Sequence, residues 1–152
     1  MSARAARAAA IGILLLTICV SGCQSTGGSR RAATVREGVF VHITKGAEDP
    51  HAVLMGLQMA RLMASDRDVL VYFDLRGVEV VLEGGPDITH EAFESSGTQL
   101  NELLTKGVPL YACPGCLRAA GRTPADLRPG VQVADKDAFF SFTPGRILSI
   151  DY

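Results

Sequence analysis

Hydrophobic and polar positions divide the chain into an apolar opening block, a polar gap and a region that alternates between two periods. Ala8 to Val20 is almost wholly apolar, whereas Gln24 to Arg36 is small, polar and unpatterned. Beyond the gap, Val39-Phe40-Val41-His42-Ile43 is a β-rich run closed by Thr44-Lys45-Gly46. From Pro50 to Ala64, Val53, Leu54, Leu57, Met59, Ala60 and Met63 fall at helical spacing, with Asp49 as N-cap and Pro50 at the first position. Val69 to Phe73 reads as a second strand and Val78 to Leu82 as a short third. Ser96, Leu100, Leu103 and Leu104 fit a helix closed by Lys106-Gly107. Val108 to Ala112 is the next strand, Thr123-Pro124-Ala125-Asp126 a capped helix start, and Val131 to Val133 a brief strand. Asp135 to Phe142 reads as a short helix and Arg146 to Ile150 as the last strand. Strands that are apolar throughout and separated by helices predict a parallel sheet covered on both faces, a single α/β sandwich. In such sheets ligands and chemistry collect at the carboxyl ends of the strands.

The apolar opening block changes the picture of the termini. Arg4 and Arg7 precede it, and it is too short to span a bilayer comfortably, which together describe a secretory signal. Val20-Ser21-Gly22-Cys23 resembles a bacterial lipobox, in which the cysteine is diacylated and the peptide cut just before it. That resemblance implies a signal peptide over residues 1–22, a flexible tether over 23–36 and one folded domain over 37–152. It places the protein in the bacterial cell envelope, held to a membrane through lipid on Cys23. Gln24, where an aspartate would retain the protein at the inner membrane, resembles the sorting signal for the outer membrane, on its periplasmic side.

Charge and aromatic content exclude one partner class. The chain carries 15 Lys and Arg against 16 Asp and Glu, and loses Arg4 and Arg7 with the signal. A mildly acidic domain with no tryptophan offers neither the electrostatic footprint nor the stacking platform that nucleic acid needs. No phosphate-binding loop, Ser/His/Asp set or paired-carboxylate pattern is present, so no cofactor is called for.

The candidate chemistry is the segment Tyr111-Ala112-Cys113-Pro114-Gly115-Cys116, which sets two cysteines three apart just after a strand. Of four cysteines, Cys19 leaves with the signal and Cys23 takes the lipid, so only Cys113 and Cys116 remain as thiols. A four-cysteine zinc knuckle or a disulfide framework is then impossible within one chain. A short helix starting at Pro114 or Gly115 would aim its amides at the sulfurs, and Arg118 and Arg122 would add positive charge. On these grounds Cys113 is expected to be the more reactive thiol, with Cys116 about one turn inside the helix and partly covered. Accessory candidates at the same sheet edge are His51, which opens the first helix, and Lys45. Lys45 and Asp74 read as ordinary solvated residues at strand ends, His42 as a sheet residue and His90 as part of a polar loop. A bland alternative makes the pair a tight Pro-Gly turn with no chemistry.

The element order, "KGVPLYACPGCLRAAGRTPADLRPGVQVAD" (Lys106 to Asp135), the closing "RILSIDY" and the early "VFVHITKGAEDPHAVLMGLQMA" resemble the DsrE/DsrF-like sulfur-relay superfamily. The likeness runs from about Gly38 to Tyr152. It implies a mainly parallel five-stranded sheet between helices, assembled as a homotrimer or hexamer, and a persulfide carried on Cys113. Cys116 matches a second cysteine that only some members have. Gly121-Arg122 stands where relatives have Arg-Gly, and an exported, lipidated chain departs from the family's cytoplasmic relay partners. Four functions follow as alternatives: a sulfur carrier or sulfurtransferase-like protein with a sulfur donor or acceptor protein as partner; a thiol redox protein; a lipoprotein whose Cys113 and Cys116, with or without His51, hold a soft metal such as Cu(I) or Zn(II); or a non-catalytic oligomeric subunit.

Overall fold

The structure, a computed structural model, describes residues 35–152. The signal segment, Cys23 and most of the tether lie outside the described residues. Five strands alternate with helices: β1 (Gly38–Ile43), α1 (Pro50–Met63), β2 (Asp68–Phe73), a 3-10 helix (Leu75–Val81), α2 (Ser96–Thr105), β3 (Leu110–Ala112), α3 (Pro114–Ala119), a second 3-10 turn (Pro124–Asp126), β4 (Gln132–Val133), α4 (Ala138–Ser141) and β5 (Ile147–Asp151). The strands form one sheet in the order β4-β3-β2-β1-β5, every neighbouring pair parallel. This is a single α/β domain with a five-stranded parallel sheet flanked by helices.

The helix starts follow from local chemistry. Asp49 accepts a hydrogen bond from the Ala52 amide at 3.1 Å, and Pro50 needs no partner at the first position of α1. Helix α2 is capped by Ser95 and closes into Gly107, whose φ of 73° only glycine adopts cheaply. Val53, Leu54, Leu57, Leu100 and Leu103 from these two helices are fully buried against Val41, Ile43, Val71 and Phe73 of the sheet. The core therefore sits between one sheet face and the α1–α2 layer.

The other face is covered much less. Phe139 of α4 packs edge-on against Phe40 and Tyr72, with ring centres 5.4 and 4.9 Å apart. Phe40, His42, Tyr72 and Tyr111 on this face remain half-buried, and Ile147 of the outermost strand β5, on the same face, is 40% exposed. Helix α4 spans only four residues, fewer than the Asp135 to Phe142 read from the sequence.

Val78 to Leu82 forms no strand. Val78 to Val81 lies in the 3-10 helix, where Val78, Val80 and Val81 are buried, and Leu82 just after it makes a single antiparallel bridge to Leu127. Both edges of β2, the strand just before the 3-10 helix, are already paired, with β1 and with β3, so this apolar segment cannot pair beside its chain neighbour. It plugs the end of the core instead. The Gly77 amide bonds to the Thr44 carbonyl at 3.2 Å and to the Asp74 carbonyl at 2.7 Å. A Cβ at Gly77 would overlap the Ile43 carbonyl, so the approach requires glycine.

Candidate functional site

Strand register builds the site. Asp151, His42, Tyr72, Tyr111 and Gln132 are consecutive partners across all five strands. Side chains two residues apart share a face, so Asp74 and Cys113, each two beyond a member of that row, extend the same face at the carboxyl edge. Ionisable side chains are thereby gathered where the sheet ends and only α4 covers it.

Cys113 follows β3 directly and is the N-cap of α3. Its own amide donates to the Phe73 carbonyl at 2.8 Å, which ties it to the end of β2. The Cys113 sulfur accepts from the Cys116 amide at 3.4 Å. Partial burial works against ionising this thiol, but the Tyr72 hydroxyl, the Cys116 amide and thiol, and the Gly115 amide all donate toward the sulfur. Together they outweigh burial and hold Cys113 below the ordinary thiol range.

Cys116 is pushed the other way. Burial raises it first; its bond to Cys113 and the negative charges of Cys113 and Asp74 raise it further, against the opposing pull of the Leu75 amide. That amide donates to the Cys116 sulfur at 3.1 Å. Leu75 adopts φ 45°, a left-handed backbone unusual for a leucine, and this turn aims its N–H at the sulfur. Cys116 also lines an open groove of about 430 Å³ with Leu75, Arg76, Glu79, Ala119 and Ala120.

Beside the thiols, His42 stands between two carboxylates. Its Nδ1 is 2.9 Å from Asp151 Oδ1 and its Nε2 is 3.0 Å from Asp74 Oδ1. The second contact is close but poorly aligned as a hydrogen bond, and both of its atoms are otherwise unpartnered. It is a close polar contact rather than a good hydrogen bond. The His42 ring stacks on Tyr72 with centres 5.4 Å apart. Burial, the bond to Cys113 and the negative charge of Cys113 and Asp74 all push the Tyr72 phenol upward, so it stays protonated and donates.

The residues singled out from the sequence divide accordingly. Cys113 and Cys116 come together, both half-buried and both reduced. His51 is exposed and stacks on His90 and Phe93, with ring centres 5.3 and 5.4 Å away, in the loop before α2. Lys45 is exposed in the loop after β1. Arg118 and Arg122 are exposed, and neither is among the groups acting most strongly on the thiols. Asp74, read from the sequence as a solvated loop residue, is only 21% exposed at its side chain, because it turns back over His42. Sequence reasoning also missed Tyr72. The available signal was period-two alternation: Phe40-His42, Tyr72-Asp74 and Tyr111-Cys113 each carry the chain's polar chemistry along one face. Among the described residues, no three His, Cys, Asp or Glu side chains are grouped to hold a metal ion.

A family model described as DsrE/DsrF-like matches residues 37–142. The chain belongs to that family. An uncharacterised protein of Methanocaldococcus jannaschii is 26% identical over 117 residues, which is 74% of this chain and 42% of the relative. The chain thus spans less than half of that relative's length. Among solved structures, a protein of unknown function from Methanobacterium thermoautotrophicum is 24% identical with a TM-score of 0.57, covering 76% of this chain and 99% of that one. The ychN protein from E. coli is 16% identical with a TM-score of 0.59 over the same shares. These two likenesses are of fold. The DsrE/DsrF-like family is linked to sulfur relay.

Proposed function

We propose that this DsrE/DsrF-like protein is a cysteine-based sulfur carrier of the cell envelope, holding sulfane sulfur as a persulfide on Cys113. The observation that carries this reading is the asymmetry of the pair: donors converge on Cys113 and lower it, while Cys116 is raised. A thiol held below its ordinary range yields more thiolate, and thiolate is the nucleophile that sulfur transfer needs. The Cys113 thiolate attacks the outer sulfur of a donor persulfide R–S–SH, the donor leaves as R–S⁻, and Cys113–S–SH forms. Cys116 then resolves it: its sulfur attacks Cys113 Sγ, a Cys113–Cys116 disulfide forms, and the terminal sulfur leaves as sulfide carrying the proton. Anchoring through Cys23 and assembly into a homotrimer or hexamer belong to the same reading. They are supported by the Val20–Cys23 segment and by exposed Phe140, Ile147 and Leu148.

Intact-mass spectrometry after incubation with a polysulfide donor tests the carrier role. The wild type should gain one sulfur atom, about 32 Da, or pass on to the disulfide, whereas Cys116→Ser should keep the added sulfur and Cys113→Ser should gain none. Disulfide formation with no sulfur adduct in Cys116→Ser would leave a thiol redox protein and overturn the carrier.

A further inference from the structure

Resolution by Cys116 creates a problem that Cys113 does not have. Cys116 is the protonated thiol of the pair, so a proton must leave its sulfur as the new bond forms. The groups around it are few. On α3 it faces Cys113; on the 3-10 helix, Arg76 and Glu79 line its groove, and Arg76 is occupied by Glu79 at 3.0 Å and Glu48 at 3.9 Å. Just after β2 comes Asp74, whose negative charge acts on Cys116 and which immediately precedes Leu75, whose amide bonds the Cys116 sulfur. Behind Asp74 stand His42 of β1 at 3.0 Å, Tyr72 of β2, and Asp151 of β5 at 2.9 Å from the far side of the His42 ring. Lys45, in the β1–α1 loop, is exposed.

We propose that Asp74 accepts the Cys116 proton during resolution and that His42, held by Asp151, is the positioning residue that keeps the carboxylate in place. This rests on the carrier reading for its biological step, but the geometry serves any leaving group on Cys113. Among the described residues, Glu79 in the groove is committed to Arg76, whereas Asp74, whose charge acts on Cys116, contacts His42 and no arginine. The contact with His42 is short but poorly aligned as a hydrogen bond, which leaves the carboxylate free to turn toward a proton. In the step itself the S–H bond of Cys116 breaks, its proton goes to Asp74, and its electron pair forms the bond to Cys113 Sγ. The bond from Cys113 Sγ to the outer sulfur breaks, and that sulfur leaves with the electron pair. No external oxidant is consumed.

The symmetrical thionitrobenzoate disulfide tests this with the whole protein and without sulfane sulfur. Cys113 releases a first coloured thiolate and is left as a mixed disulfide; Cys116 attacks that disulfide and releases a second. Cys116→Ser, which lacks the attacking thiol, identifies the second phase by its loss. Asp74→Asn should leave the first phase within about twofold and slow the second at least tenfold near pH 7, the range of a lost general base. The deficit should close as pH rises and Cys116 ionises unaided, and Asp74→Glu should restore most of the rate. His42→Gln, as an independent variant, should slow the second phase in the same direction by a smaller factor. The sign decides the matter. If Asp74 were only a negative charge that keeps Cys116 protonated, Asp74→Asn would free the thiolate and speed the second phase. An unchanged or faster second phase in both variants overturns the proposal. Failure of persulfide loading would overturn the carrier role and leave this result standing.

Discussion

Cys113 and Cys116 are chemically alike and three residues apart, yet their surroundings make them unequal. The difference is one of donors. Cys113 Sγ receives the Tyr72 hydroxyl and the first amides of α3, while Cys116 Sγ receives the Leu75 amide and faces Asp74. Tyr72 is therefore the side chain that assigns the nucleophile. Tyr72→Phe keeps the ring between His42 and Phe139 and deletes only the donor, so the fold should persist. The Cys113 thiol should then move up toward its ordinary range. Because each unit of pKa is a tenfold change in thiolate fraction, alkylation of Cys113 near pH 7 should slow about three- to tenfold. An unaltered rate would mean that the helix amides alone set the thiol. None of this was legible in the motif itself, since C-x-x-C names two thiols but not what faces them. Charged Arg118 was the obvious candidate from its spacing, and it points to solvent; the neutral Tyr72, forty-one residues upstream, acts through the strand register.

At the scale of elements, the strands and the two long helices were readable because caps and periodicity agreed: Asp49-Pro50 before α1, Lys106-Gly107 after α2. The 3-10 helix was not readable, because Val78 to Leu82 has the composition of a strand, and nothing in that composition tells that β2, just before it, is paired on both edges. The loop from Gly84 to Ser95 was equally silent, although it carries a device that fixes the start of α2. Asp87 Oδ1 accepts from the Gly97 amide at 2.7 Å and the Ser96 hydroxyl at 3.3 Å, and the Ser96 hydroxyl accepts from the Ile88 amide at 2.9 Å. The Gly97 amide, chiefly, holds the Asp87 carboxyl below its ordinary range, with Ser95 and Ser96 adding to it and burial opposing. A carboxyl lowered on folding stabilises above its unfolded value, and that stability is lost as pH falls through the folded one. Asp87→Ala should thus cost about 1 kcal/mol at neutral pH, as other lost caps do. The gap to wild type should shrink below about pH 4. Urea unfolding of both proteins at neutral and acid pH checks this, and a gap that persists in acid would mean Asp87 acts by packing.

At the scale of the whole molecule, the sheet is unevenly dressed. One face is sealed by α1 and α2; the other, with the thiols at its edge, has α4, a half-buried aromatic row and the open strand β5. Phe140 is 76% exposed, an arrangement that association with further copies would cover. If the mature chain is an anchored oligomer, Cys23→Ser should release it from the membrane, and light scattering should give the mass of a trimer or hexamer. Persistent membrane association, or a monomer at high micromolar concentration, would remove the anchor or the oligomer respectively. Sequence alone indicated the parallel α/β architecture and the cysteine edge, but not this asymmetry. An apolar strand reads the same whether one helix layer or two will cover it.

Everything proposed for this protein depends on Cys113 being the thiol that reacts. The direct measurement is the rate of alkylation of each cysteine against pH, taken on Cys116→Ser for Cys113 and on Cys113→Ser for Cys116. The surroundings of the two sulfurs predict a Cys113 profile with its midpoint below the ordinary thiol value of about 8.5 and a Cys116 profile with its midpoint above it. Coincident profiles at the ordinary value would contradict the account, and the pair would be a turn that packs rather than a site that reacts.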